Sequence, residues 1–307
     1  MKIIFLGGVK FSYELLQYIL LKNWQISAVI TYDDTKKNNY SDFTSFDEIT
    51  KKFNINHIKV DNINDQKNIE LIKKISPDLI LVMGWSQILK PTILDIPKLG
   101  VIGSHPTELP KYRGRAPVPW SILKGLKKSA LTFFWMKDGI DDGDILDQQF
   151  FKILDDDDAT SIYEKITLLG QKMLDKNLFL LQSGNIKKIK QNPNEFIEYW
   201  NKRTPEDGKI NWHDKGITIH NLIRATTKPY PGAFTTLQNE KLIIWKSELI
   251  EEENCIPGKI LNISKNSFKI GTGDGVILVK KFSYNKKTFN NLIEMFSKNN
   301  SNLLLGQ

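Results

Sequence analysis

The sequence holds a single cysteine, Cys255, in 307 residues. That excludes an intramolecular disulfide and any metal centre built from cysteines, and it fits a reducing compartment. No apolar run approaches the ~20 residues that a membrane-spanning helix needs. The opening stretch, Met1 to Gly8, is broken by glycine too early to read as a secretory signal, so a cytoplasmic protein with no membrane partner is expected. Arginine is scarce as well: Arg113, Arg115, Arg203 and Arg224 are the only four, although Lys and Arg together number 43. Lysine, scattered among Asn and Ile, carries nearly all of the net charge of +8 and forms no stripe. This reads as a solvated, lysine-biased surface, and nucleic acid is not the expected partner. A chain that otherwise defaults to lysine yet places Arg113 and Arg115 two positions apart has kept guanidinium where planar, two-pronged recognition is needed.

Length and composition, with 40% hydrophobic and 25% charged residues, suit one large globular domain or two moderate ones. Along the first half, apolar strand-like runs alternate with helical periodicity. Lys2–Leu6 is followed by a helix through Phe11, Leu15, Leu16 and Ile19. Ile26–Thr31, His57–Val60 and Leu79–Val82 are further strands, with helices around 45–53 and 66–75 between them. Such alternation implies βαβ units in a mostly parallel, doubly wound sheet, whose ligands gather at the carboxyl ends of the strands. An amphipathic helix covers 161–181, and the polar stretch 182–194 reads as a connection. Beyond Arg203 the texture changes to short β segments at 241–245, 259–263, 268–270 and 275–279, which predicts a small barrel. Residues 297–307 read as a loose tail.

The chemistry concentrates just after the Leu79–Val82 strand, in Met83-Gly-Trp-Ser-Gln-Ile-Leu89 and then His105-Pro-Thr-Glu-Leu-Pro-Lys-Tyr-Arg-Gly-Arg-Ala-Pro117. His105 ends a short apolar strand, and the prolines at 106 and 110 stiffen the loop around it. Downstream, Asp138-Gly-Ile-Asp-Asp-Gly-Asp144 offers a carboxylate on a turn whose backbone can approach a flat ligand closely. A histidine oriented by a carboxylate is the usual apparatus for moving protons near neutral pH. The acidic run lacks the ligand spacing and terminal Glu of an EF-hand, so no metal is expected. Gly7-Gly8 is a weak nucleotide signal because the spacing is not G-x-G-x-x-G. His57, His213 and His220 are scattered and read as structural.

The run from His105 to Pro117, with Asp141-Asp-Gly-Asp-Ile145 downstream, closely resembles the folate-dependent formyltransferases. The second half agrees, since Arg203-Thr-Pro-Glu-Asp-Gly-Lys-Ile-Asn-Trp212, Ile223-Arg-Ala225 and Pro229-Tyr-Pro-Gly-Ala-Phe234 resemble the C-terminal domain of some members. The resemblance implies an α/β, Rossmann-like catalytic domain over 1–190 and an OB-like β-barrel over 204–295. It further implies 10-formyltetrahydrofolate as co-substrate, and a homodimer. His105 matches the family's catalytic histidine and Asp141 the aspartate paired with it. Arg115 matches a folate-contacting arginine, and Lys137, Asp138, Gly139, Ile140 and Asp141 match the loop whose backbone cradles the pteridine. Trp85, Ile88 and Leu89 are expected to wall that pocket. Gly8, Lys10 and Arg113 are the expected contacts to the acceptor, whose diphosphate would lie near the start of the first helix.

One departure stands out. The family usually has Asn two residues before the histidine, where it stabilises the tetrahedral oxyanion, and here that position is Gly103. Losing such a donor typically costs about two to three orders of magnitude in rate. Thr107, Ser104, a backbone amide or protonated His105 are the candidate substitutes. Three acceptor classes follow: a nucleotide-linked amino sugar, the amine of methionyl-tRNA, or none at all in a non-catalytic binding protein. The tRNA enzymes carry a basic insertion after the second strand. The loop Tyr32–Asp42 here is nearly charge-balanced and free of arginine, so the amino sugar of a dTDP-, UDP- or GDP-linked surface-glycan precursor is the expected acceptor.

Overall fold

A computed structural model describes residues 1–186, 188–252, 255–264, 267–284, 287–288 and 305–306. In chain order its elements are β1 (Ile3–Leu6), α1 (Lys10–Leu21), β2 (Ile26–Tyr32), α2 (Asp47–Lys52), β3 (His57–Val60), α3 (Gln66–Ile75), β4 (Leu79–Val82), α4 (Pro91–Leu94), β5 (Gly100–His105), β6 (Tyr112–Gly114), α5 (Pro117–Leu123), β7 (Lys128–Trp135), β8 (Ile145–Lys152), α6 (Ala159–Gln182) and β9 (Glu198–Trp200), followed by α7 (Gly216–Thr226), β10 (Ala233–Leu237), β11 (Glu240–Ile250), β12 (Ile260–Ile263), β13 (Phe268–Gly271), β14 (Val276–Tyr284) and β15 (Lys287–Thr288). Two compact units result. The first comprises 1–117, 128–152 and 163–201; the second comprises 118–127, 153–162 and 202–307.

The first unit is built on a seven-stranded sheet in the order β3-β2-β1-β4-β5-β7-β8. The first five strands are parallel, and β7 and β8 add antiparallel at one edge. Every residue of β1 and β4 is buried, which explains why these strands are continuous apolar runs rather than alternating ones. Ile4, Leu6, Ile80 and Val82 turn to one face and pack with Ile72 of α3 and Ile93 of α4. Each such side chain contributes about 1.5–3 kcal/mol by leaving water. At Gly170 of α6, an added Cβ would lie 3.0 Å from Leu15 of α1 and 3.4 Å from Leu131 of β7, so the helix lies close on α1 and the sheet.

The second unit is an antiparallel sheet, β10-β11-β14-β13-β12 with β15 beside β14, and α7 covers it through Ile219 and Ile223. The strand-and-helix alternation, the parallel core sheet and the change to short β segments after residue 203 are as the sequence predicts. Strands β7 and β8 were not anticipated: β8 reads Ile-Leu-Asp-Gln-Gln-Phe-Phe-Lys, mixed in polarity because it is the sheet's edge. Of the expected loose tail, 297–304 and Gln307 lie outside the described residues. Leu305 and Gly306 are tied down: Leu305 is buried in the second core and bonds Gly258 O, and Gly306 N bonds Thr236 O. No helix among the described residues is long and apolar enough to cross a membrane.

Candidate active site

The parallel strands place β5's carboxyl end in the interior, so His105 sits at the sheet's functional rim with only 5% of its surface exposed. Its Nε2 lies 2.9 Å from the carbonyl of Tyr112, and because a carbonyl only accepts, Nε2 carries the hydrogen. The other ring nitrogen, Nδ1, faces Asp141 Oδ2 at 3.6 Å. At that separation the carboxylate attracts the ring whenever Nδ1 takes up a proton, so Asp141 is placed to balance the charge of His105 during proton transfer. Asp141 Oδ2 accepts in turn from Gly114 N at 2.9 Å. The expected pair is therefore brought together, on two loops that meet at β6.

Thr107 also belongs to this cluster, in a different capacity. It is fully buried, its hydroxyl donates to Tyr112 O at 2.6 Å, and its own carbonyl accepts from Thr132. With its one hydroxyl hydrogen committed to Tyr112, Thr107 braces the loop and is not placed as an oxyanion donor. Tyr112 is thus the hub that the motif did not flag, its carbonyl taking both His105 and Thr107. Its ring stacks on Trp200 at 4.7 Å. β6 and β9 form a two-stranded parallel ribbon, Tyr112 opposite Glu198 and Gly114 opposite Trp200. Gly114 has φ of 104° and a Cβ there would collide with the Trp200 carbonyl, so glycine is required.

Arg113 departs from expectation. It is 8% exposed and its guanidinium is engaged inside the unit, NH2 to Gln191 Oε1 at 2.6 Å and NH1 to Tyr199 OH at 3.2 Å. Burial and these partners remove it from the set that can meet an acceptor directly. Arg115 is the exposed one of the two, held through its backbone N to Trp200 O at 2.8 Å. Asp138, Gly139 and Ile140 form an exposed loop with Lys137, whose Nζ pairs with Asp144 at 3.0 Å. Trp85 stacks at 4.0 Å on Tyr32, which is sandwiched on its other face by Tyr40. Of its neighbours, Ile88 is 69% exposed, whereas Leu89 is buried among the aliphatic residues of the sheet's core, so a pocket wall built from both is not what forms.

The start of α1 also differs. Gly8 N and Val9 N both bond Ser12 Oγ at 3.0 Å, and Lys10 N bonds Asp42 O at 3.0 Å. Thr44 N closes the same loop on Gly8 O at 3.1 Å. The amides that would receive a diphosphate are occupied by the chain itself, and the Lys10 side chain pairs with Glu14 at 3.6 Å. The expected placement of Gly8 and Lys10 on the phosphates loses its backbone donors. Among the described residues no group of three or more His, Cys, Asp or Glu is arranged to hold a metal ion.

Residues 1–178 match the family described as Formyl transferase, and 202–299 match Formyl transferase, C-terminal domain. The chain belongs to the formyl transferase family. It is an enzyme that transfers a formyl group. Among its relatives, methionyl-tRNA formyltransferase of Clostridium tetani is 35% identical over 291 residues, 94% of this chain and 93% of that protein. The bifunctional polymyxin resistance protein ArnA of Wigglesworthia glossinidia brevipalpis is 36% identical over 264 residues, 86% of this chain but 40% of that protein, so the chain spans less than half of ArnA. Among solved structures, WlaRD, described as a sugar 3N-formyl transferase in the presence of dTDP and 5-N-formyl-THF, is 26% identical with a TM-score of 0.66, covering 94% of this chain and 98% of that one. Membership in the family sets aside the non-catalytic reading.

Proposed function

We propose that this formyl transferase moves the formyl group of 10-formyltetrahydrofolate onto the primary amine of a nucleotide-linked amino-deoxy sugar, carried by dTDP, UDP or GDP and destined for a surface glycan. The observation behind the choice of acceptor is the loop after β2. Residues 33–46 contain three aspartates, two lysines and no arginine, and the loop is tied back onto the start of α1 through Asp42 and Thr44. A loop of that charge, bonded to its own helix, offers RNA no basic arm. The likeness to WlaRD along nearly the full length of both chains supports the same reading. A second reading, formylation of methionyl-tRNA, is favoured by the full-length likeness to the tRNA enzymes.

In the proposed reaction the amine nitrogen attacks the formyl carbon and the bond from that carbon to N10 of the folate breaks. The amine gives up one proton and N10 receives one, so nothing is oxidised or reduced. His105 takes the amine's proton on Nδ1, since Nε2–H is held by Tyr112 O, and returns it to N10 as the C–N10 bond breaks; Asp141 orients the ring and balances its charge between the two transfers. The exposed Lys137–Ile140 backbone, the exposed Arg115 guanidinium and the Trp85 ring suit a flat, edge-polar pteridine with an anionic tail. The division into catalytic residues 1–190 and an OB-like 204–295, a homodimeric assembly and action in the cytoplasm belong to the same proposal.

The test offers 10-formyltetrahydrofolate with dTDP-3-aminofucose, UDP- and GDP-linked amino sugars and initiator methionyl-tRNA in parallel. The mass gain of one formyl group on a nucleotide sugar, with tRNA untouched, is the expected result. Robust, salt-sensitive formylation of the tRNA alone would replace this reading with the second.

A further inference from the structure

We propose that Gln191 is a positioning residue for the Asp141 carboxylate, which makes the polar segment 189–200 a working part of the reaction site rather than a connection. The inference rests on His105 and Asp141 being the proton-handling pair.

A glutamine amide has two N–H groups and one carbonyl, and here each is used. Nε2 donates to Asp141 O and to Gly143 O, both at 2.8 Å, and Oε1 accepts from Arg113 NH2 at 2.6 Å. The two carbonyls belong to one tight turn, so a single side chain fixes the turn at both ends. Asp141 needs that restraint. Its φ is 51°, a left-handed conformation that costs a residue with a side chain roughly 1–2 kcal/mol and persists only where the surroundings impose it.

Arg113 is the second arm of the clamp. It is nearly buried, and its Nε is buried with no hydrogen-bond partner. Burying a guanidinium with one N–H unpaired is destabilising, so its retention points to geometry rather than to stability. Arg113 and Gly114 are neighbours on β6. Through Gln191, Arg113 holds the main chain of Asp141, while Gly114 N holds its carboxylate. β6 is aligned by β9, and Ile189 bridges to Ile145 on the far side of the Asp141 turn. The carboxylate that faces His105 at 3.6 Å is therefore suspended from the 189–200 segment on both sides. A 1 Å misplacement of a reacting group is enough to cost on the order of 10²-fold in rate.

The test is a double-mutant cycle with Gln191→Glu and Asp141→Asn. Glutamate keeps the length and the acceptor for Arg113 but offers the turn no N–H. Single-turnover formyl transfer is followed with whichever acceptor wild type uses, dTDP-3-aminofucose or initiator methionyl-tRNA. Expected are a loss of ~10²-fold or more for Asp141→Asn, ~10- to 100-fold for Gln191→Glu, and a double variant within about twofold of Asp141→Asn alone. A Gln191→Glu loss that multiplies onto Asp141→Asn, or a wild-type rate for Gln191→Glu, overturns the proposal. A wild-type rate for Asp141→Asn sinks the His105–Asp141 reading itself, which separates the two failures. If Gln191→Glu fails to fold, Arg113→Lys, which keeps the charge and loses the fork, takes its place in the cycle under the same criteria. An acceptor-free readout is 15N-histidine NMR, tractable with four histidines in the chain. The His105 ring resonances of Gln191→Glu should move toward those of Asp141→Asn, and unmoved resonances count against the proposal.

Discussion

The side chain of Met136 fills the space that any side chain at Gly103 would need: a Cβ on Gly103 falls 2.9 Å from Met136 Cγ and 3.1 Å from its Sδ. Phe134 Cε1 closes the other side at 3.1 Å. Gly103 is not among the glycines with positive φ, so packing rather than backbone conformation opposes a larger residue. Gly103→Asn alone should therefore lower stability by about 1–3 kcal/mol through overpacking, read as a drop in the melting temperature. Pairing it with Met136→Ala frees the volume. If the new amide then reaches the oxyanion, the double variant should outrun Met136→Ala alone by at least about tenfold in single turnover. A stably folded double variant no faster than Met136→Ala would show that another group fills the oxyanion role.

His105→Ala and Asp141→Asn should each reduce turnover by ~10²–10⁴-fold, the range for a lost general acid–base group. Binding of 10-formyltetrahydrofolate, read by tryptophan quenching, should persist in both, because the proposed folate contacts are the Lys137–Ile140 backbone, Arg115 and Trp85, and neither substituted side chain is among them. A Asp141→Asn variant that turns over at the wild-type rate would dissolve the pair.

His220 gives the second unit an acid-sensitive point. Burial, and next the Arg224 guanidinium, push its pKa down from 6.5 to about 4, and Nδ1 sits 2.9 Å from Ser247 Oγ. The folded state thus resists protonation more than the unfolded chain does. The sign follows: the stability from neutral His220 is fully present above pH ~6.5 and is lost as pH falls toward ~4. Melting temperature measured across that window should decline in wild type and decline less in His220→Gln, which cannot be protonated. Parallel curves for the two proteins would assign the acid sensitivity elsewhere.

Much of this architecture was legible because β1 and β4 are short, wholly buried strands and α1 and α3 keep a 3.6-residue apolar period, signals that burial writes directly into sequence. His105 and Asp141 were legible through their motif. What stayed hidden is the support around them. Gln191, Tyr199 and Trp200 lie in a polar stretch without periodicity, and their purpose exists only through long-range pairing with β6, some 80 residues earlier in the chain. Met136 is silent in sequence for the same reason: nothing in its own neighbourhood says that it packs against Gly103 of β5. Ile88 and Leu89 are neighbours in sequence, yet Ile88 is exposed and only Leu89 turns inward, a division that no local pattern announces.

The two clustered arginines provide the sharpest separation of roles. Arg113 is buried and bonded to Gln191 and Tyr199, so Arg113→Ala takes away the partner of the half-buried Gln191 carbonyl and opens a cavity beneath the Asp141 turn. The expected cost is about 1–3 kcal/mol, seen as a melting temperature lower by several degrees, together with a fall in turnover because the turn loosens. Arg115 is exposed, and the one bond that anchors it, from its backbone N to Trp200 O, survives truncation of the side chain. Arg115→Ala should leave the melting temperature within experimental error and act on the folate instead, raising KM for 10-formyltetrahydrofolate by about tenfold, the loss of one charge-assisted contact of roughly 1.4 kcal/mol. kcat should change little, since the reacting atoms and the proton path through His105 are untouched. Added salt discriminates further: if Arg115 meets an anionic part of the folate, the wild-type KM rises with ionic strength and the Arg115→Ala KM rises less. The assignment fails if Arg115→Ala lowers the melting temperature as much as Arg113→Ala does, or if it depresses kcat while the KM for the folate stays at the wild-type value.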